Sequence, residues 1–178
     1  EPTGPANDSL WINQGDGSFV NADVNLVGFE AENAFTFTAG FWDRDDDADL
    51  DLMIINDYRS EYGWTEPVQY FENDAGTFTD AGDAYGLSLP IQGMGLGAGE
   101  LNGDGIIDFA IQANSTLLMY SSGEFPYFDN SVSSGIIRAP GQSVGWGAEL
   151  ADMNNDGITD FAVAYGFLPP DEVSMGAL

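Results

Sequence analysis

The chain contains no cysteine, no histidine and no lysine. Without Cys there is no disulfide, no thiolate metal site and no thiol nucleophile. Without His and Lys, the options for a general base or nucleophile shrink to carboxylates and the hydroxyls of Ser, Thr and Tyr. Arg44, Arg59 and Arg138 are the whole basic complement, set against 30 acidic residues for a net charge of −27. Such a chain has almost nothing with which to neutralise phosphates or lipid headgroups, which argues against nucleic acid and anionic membranes as partners. Long apolar runs are missing too. No stretch approaches the ~20 residues a membrane helix needs, so no membrane insertion is expected. No segment carries a convincing helical period, and no Gly-rich phosphate loop opens a helix.

What is present is enough for a core. Of 178 residues, 43% are hydrophobic and 13% aromatic, which sets the chain apart from a disordered acidic tail. Residues 1–178 read as one domain. The charge points to cations as partners, bound at sites or gathered around the surface, and suits a marine or high-salt setting. Asn7 and Asn114 match the acceptor pattern for N-glycosylation.

The acidic residues are not spread evenly. "DRDDDADLD" (43–51) packs six carboxylates into nine positions, and related stretches recur as "ELNGDGIID" (100–108) and "DMNNDGITD" (152–160). Between them a second element recurs: "LWINQGDGSF" (10–19), "QYFENDAGTF" (69–78) and "LLMYSSGEF" (117–125). Each joins an apolar run to a polar turn and Gly-x-Phe, the pattern of a β-hairpin. Each acidic stretch is followed by a short apolar run, "LMII" (52–55), "FAIQA" (109–113) or "FAVAY" (161–165), expected to be a buried strand. "GMGLGAGE" (93–100) and "GWGAELAD" (145–152) precede the second and third. Glycine at alternate positions predicts strands where backbones crowd closely. The fold class is all-β, with units near 10–51, 69–108 and 117–160. Four strands per repeat of about 50 residues is the signature of β-propeller blades, each of four antiparallel strands.

Numbered one to nine, the acidic loops carry side-chain oxygens at one, three, five and nine. These are Asp43, Asp45, Asp47 and Asp51; Glu100, Asn102, Asp104 and Asp108; and Asp152, Asn154, Asp156 and Asp160. Ala48, Gly105 and Gly157 stand at position six, where a sharp turn would aim the position-seven carbonyls of Asp49, Ile106 and Ile158 inward. Such a set approaches the 6–8 hard oxygens that Ca²⁺ takes, whereas softer metals would want nitrogen or sulfur. About three Ca²⁺ ions are expected. They would move the net charge only from −27 to −21. An EF-hand loop would need a bidentate Glu at position twelve between helices. Here that position is Ile54, Ile111 or Val163, inside predicted strands, so the EF-hand reading fails.

These residues resemble the FG-GAP/VCBS repeats of integrin-type β-propellers, above all in "GWGAELADMNNDGITDFAVAYG" (145–166), "LWINQGDGSF" (10–19) and "AGFWDRDDDADLDLMIIND" (39–57). The resemblance covers roughly residues 9–168. It implies blades with Ca²⁺ between the first and second strands, held by the residues named above, in secreted proteins of adhesion, recognition or scaffolding. Ala48 in place of Gly implies a weaker or distorted first site, and Glu100 in place of Asp a different reach. Closed propellers have 4–8 blades. About three fit here, which implies an incomplete ring, a part of a longer protein, or edges completed by another chain, including copies of itself.

Trp42, Trp64 and Trp146, with Tyr58, Tyr62 and Tyr70, could form a sugar platform, but packing is the commoner role of aromatics. Trp146 aligns with Met94 and Phe37 in the repeat, which favours packing. Segment 56–67 is polar, aromatic and long, a place where a partner such as a glycan or cell-surface protein could be read. No catalytic residues are expected, because metal ligation accounts for the grouped carboxylates. The alternatives to a structural or adhesive module are a lectin-like module and a non-catalytic part of a secreted polysaccharide-degrading enzyme.

Overall fold

The computed structural model describes residues 8–28, 34–114, 116–121, 125–136 and 143–167. Asn7 of the first glycosylation pattern and turn residues 122–124 of the third hairpin lie outside them. The described chain is all-β. It has β1 (Trp11–Asn13), β2 (Phe19–Asn21), β3 (Leu26–Val27), β4 (Thr36–Trp42), β5 (Asp51–Asn56), β6 (Gln69–Asp74) and β7 (Thr77–Asp80). There follow one helical turn, α1 (Gly82–Tyr85), and β8 (Gly95–Gly99), β9 (Asp108–Gln112), β10 (Thr116–Tyr120), β11 (Phe128–Asp129), β12 (Ser143–Ala151) and β13 (Asp160–Phe167). None of the described helices is long and apolar enough to cross a membrane. The chain divides into two compact units, 1–91 and 92–178.

In the first unit, β1 and β2 form a separate antiparallel hairpin. The main sheet runs β3-β7-β6-β5-β4, with β4 to β7 antiparallel in sequence order and β3 added parallel to β7. All six residues of β5 are buried, as its unbroken apolar run requires. Leu52, Ile54, Phe71 and Phe78 form the core of this sheet, with Leu10 and Leu26 against it. Burying each such side chain contributes about 1.5–3 kcal/mol.

In the second unit the order is β11-β10-β9-β8, and β12 and β13 form a two-stranded sheet of their own. The alternating glycines of β8 have the expected cause. A Cβ on Gly95 would lie 2.5 Å from the Trp146 carbonyl oxygen, and one on Gly97 would lie 3.1 Å from that of Ala148. β8 therefore packs backbone to backbone against β12.

Two expectations need correction. The third hairpin pairs Tyr120 with Phe128, so its outer strand begins three residues after the Phe125 of the Gly-x-Phe match. Pro126 lacks the N–H that a ladder needs, and pairing resumes only beyond it. β13 is not buried as β5 and β9 are: Ala162, Ala164 and Tyr165 are exposed. Among the described residues its only sheet partner is β12.

Candidate metal-binding loops

All three acidic stretches connect adjacent antiparallel strands: β4 to β5, β8 to β9 and β12 to β13. Ile54, Ile111 and Val163 lie within the second strand of each pair. Two of the strands before them, β4 and β12, share a further mark. The β4–β5 register shifts at Phe37 and the β12–β13 register at Trp146, each six residues before position one.

The loops have one backbone conformation. Position four takes a positive φ in each, with Asp46 at 60°, Gly103 at 84° and Asn155 at 61°. Position six does so too, with Ala48 at 73°, Gly105 at 84° and Gly157 at 85°. Ala48 thus adopts the turn that glycine adopts in the other two loops, at a cost of about 1–2 kcal/mol for its left-handed backbone.

Side chains hold that conformation in the same way each time. The position-six amide donates to the position-one carboxylate: Ala48 N to Asp43 Oδ2 (3.1 Å), Gly105 N to Glu100 Oε2 (2.8 Å) and Gly157 N to Asp152 Oδ2 (2.8 Å). The position-seven amide donates to position five: Asp49 N to Asp47 Oδ1 (2.9 Å), Ile106 N to Asp104 Oδ1 (2.8 Å) and Ile158 N to Asp156 Oδ1 (2.9 Å). These are local side-chain-to-backbone turns that Asp and Asn favour. Glu100, with its extra methylene, also accepts from the amides of Asn102 and Gly103. Burial raises its pKa, but these amide bonds outweigh that and leave it below the ordinary value. Asp152 is lowered by the bonds from Gly157 and Asp156.

Position nine points elsewhere. It clamps the loop to neighbouring backbone: Asp108 accepts from Leu101 N (2.9 Å) and Ser121 N (2.8 Å), and Asp160 from Met153 N (3.0 Å). Asp51 accepts from Asn73 N (2.9 Å) and the Tyr70 hydroxyl (2.6 Å). Each oxygen keeps a second lone pair. Asp108 is fully buried, and that burial, opposed by its two amide bonds, drives its pKa up to about 6. At position seven the Asp49 side chain accepts from Ala75 N (2.8 Å), tying the loop to the β6–β7 turn, while the Ile158 side chain is exposed.

The first loop gathers three carboxylates. Asp43, Asp45 and Asp47 each offer a carboxylate oxygen within 4.8 Å of the others, the one such grouping among the described residues. The other loops carry Asn102 or Asn154 at position three, which leaves fewer carboxylates to gather. Asp43 Oδ1 is buried and has no hydrogen-bond partner. A buried carboxylate oxygen without a donor is costly, and a bound cation would relieve it.

Sequence reasoning passed over Arg44. Its guanidinium lies 3.0 Å from Asp45 Oδ2 and is almost wholly buried. The available signal was one of three basic residues sitting inside the densest acidic run of the chain.

A scan against protein-family models finds no match for this chain, and a comparison with curated proteins finds none either.

Of the aromatics considered for a platform, Tyr62 and Trp64 lie together, with ring centroids 5.2 Å apart. Tyr70 is buried against Tyr85, and Trp42 lies over Gly40. Trp146 covers Gly166, while its counterpart Met94 is buried. Trp64 instead stacks on Phe35 (4.2 Å, 14° between planes), with Tyr62 5.2 Å from Trp64 and Phe37 5.8 Å from Phe35. This cluster sits where β4 begins and where β5 leads into segment 57–67, at the opposite end of β4 from the acidic loop. A cavity of about 370 Å³ lies against β4 and β5, lined by Leu10, Trp11, Leu26, Phe41, Leu52 and Ile54, with Asp8 its sole acidic lining residue.

Proposed function

We propose that this chain is a calcium-binding, non-enzymatic module of the FG-GAP/VCBS type, extracellular, and structural or adhesive in role. On this reading the sheets β4-β5-β6-β7 and β8-β9-β10-β11 are two propeller blades, and the hairpins β1-β2 and β12-β13 are the outer and inner halves of others. One observation carries the reading. Three loops of different sequence repeat the same two positive-φ positions and the same two side-chain-to-backbone bonds, each between adjacent strands of a sheet. Ordinary acidic turns need not agree in this way. A shared ligand cage explains the agreement, because it requires oxygens at fixed places.

Isothermal titration with Ca²⁺ tests this, together with thermal unfolding with and without chelator. Uptake of about three ions is expected, with stabilisation near 2.7 kcal/mol for each when free calcium is a hundredfold above its dissociation constant. Melting indifferent to EDTA, with no calcium uptake, would sink the proposal.

A second reading rests on the Phe35–Trp64–Tyr62 cluster. Tyr62 is 45% exposed, and Trp64 is held by backbone bonds with Arg59, so the pair offers a rigid aromatic surface suited to the apolar face of a sugar. It predicts saturable glycan binding that is lost in Trp64→Ala. A glycan array without hits would remove it.

A further inference from the structure

The first loop differs from the others in one respect that its ligand positions do not explain. At position two it carries Arg44, where the second and third loops carry Leu101 and Met153. The Arg44 side chain is 3% exposed. Its Nη2 lies 3.0 Å from Asp45 Oδ2 and 3.6 Å from Glu72 Oε1, and its Nε lies 3.8 Å from Asp51 Oδ2. Nε donates to the Tyr70 hydroxyl (2.8 Å) and Nη2 to that of Tyr85 (3.2 Å), and the guanidinium carbon stands 4.3 Å from the centroid of the Tyr85 ring. Tyr85 donates in turn to Glu72 Oε1 (2.8 Å). One planar cation therefore joins positions three and nine of the loop to β6 and to α1.

We propose that Arg44 is a positioning residue, an internal cation that keeps the first loop ordered without metal, so that calcium orders the second and third loops and leaves the first nearly unchanged. The inference rests on the calcium reading above. Six carboxylates in nine positions repel one another, and a fixed positive charge among them offsets part of that repulsion. The second and third loops carry three carboxylates each and, among the described residues, no ion pair. Hydrogen bonds hold them without metal, from backbone amides and, in the second loop, also from the Asn102 side chain and the Tyr127 hydroxyl, with no fixed positive charge among them in the described residues. Guanidinium geometry suits the task, since its fork reaches several carboxylates and hydroxyls at once.

Amide hydrogen exchange on the whole chain, read in EDTA and in calcium, tests the proposal. Asn73 and Ala75 report on the first loop because they donate to Asp51 and Asp49. Leu101 and Ser121 report on the second, and Met153 on the third. In EDTA the first two are expected to exchange within about threefold of their calcium-loaded rates, and the other three at least about tenfold faster. In Arg44→Met, Asn73 and Ala75 are expected to accelerate about tenfold in EDTA and to recover in calcium, with Met153 as in the wild type. Should that variant fail to fold, Arg44→Lys keeps the charge without the fork and is expected to accelerate the same two amides alone.

Equal acceleration of all five amides in wild-type protein overturns the proposal. So do substitutions that leave Asn73 and Ala75 unmoved. If calcium alters none of the five, the calcium reading falls by itself. Loss of first-loop protection in Arg44→Met would then still assign the tether to Arg44.

Discussion

Tyr70 donates its hydroxyl proton to Asp51 across 2.6 Å, beneath the first acidic loop. The same oxygen accepts from Arg44 Nε, so one buried phenol links the loop's internal cation to its position-nine carboxylate. Burial, reinforced by the Asp51 bond, raises the Tyr70 pKa, so the group remains a donor at neutral pH. Tyr70→Phe removes both bonds and leaves two charged groups short of a partner in a dry site. Hydrogen bonds to charged groups are worth about 1.5–3 kcal/mol each. A loss of about 3–6 kcal/mol is expected in urea unfolding, and a change under about 0.5 kcal/mol contradicts the assignment.

Ala48 holds a φ of 73°, which glycine would hold without a Cβ penalty. Ala48→Gly relieves about 1–2 kcal/mol of backbone strain and gives back about 0.5–1 kcal/mol in unfolded-chain entropy. The expected net gain is roughly 0.5–1 kcal/mol, seen as a higher denaturant midpoint at unchanged slope. Gly157→Ala should shift the midpoint the opposite way. A Cβ there meets no atom within 4 Å, so backbone strain alone is felt.

Gly95→Ala tests the close approach of β8 to β12. The added methyl would meet the backbone of Trp146 at 2.5 Å, and a backbone neighbour cannot swing aside as a flexible side chain can. Overpacking of this kind costs about 1–3 kcal/mol. Far-ultraviolet circular dichroism during thermal unfolding should show a lower melting temperature, with Gly147→Ala, whose added Cβ would meet only the Ala164 side chain at 3.9 Å, affected less.

Asp108 sets a pH dependence. Its folded pKa is about 6, above the roughly 3.9 of an unfolded Asp. In the metal-free protein the folded state therefore holds the extra proton between these values. This group's contribution to stability falls as pH rises through that window. Under the proposed calcium reading the preference reverses, because an ion bound by Asp108 needs the carboxylate and must displace the proton. Affinity at the second loop is expected to fall about fivefold from pH 6 to pH 5 and little from pH 8 to pH 7. Calorimetric titration across this range measures it, and Asp108→Asn should flatten the profile.

Much of the fold was legible along the chain, because its repeats are local. The apolar runs after each acidic loop became β5, β9 and β13, and the alternating glycines of β8 marked a close backbone contact. The common loop conformation was half legible. Position six was read from Gly105 and Gly157, whereas the matching role of Asp46, Gly103 and Asn155 at position four went unremarked. All three are residue types that tolerate a left-handed backbone. The misplaced third hairpin had a signal as well, in Pro126 directly after the expected Phe125.

Sequence by itself determined the strand pattern, the spacing of loop oxygens and the exclusion of thiol, imidazole and amine chemistry, since each depends on residue identity and short separations. Tertiary structure decided what surrounds each oxygen. Tyr70 and Tyr85 stand 26 and 41 residues from Arg44, yet both reach its guanidinium. Likewise Trp64 stacks on Phe35, 29 residues before it in the chain. Burial and long-range side-chain contact follow from how strands stack, and a chain written in one dimension does not carry that distance.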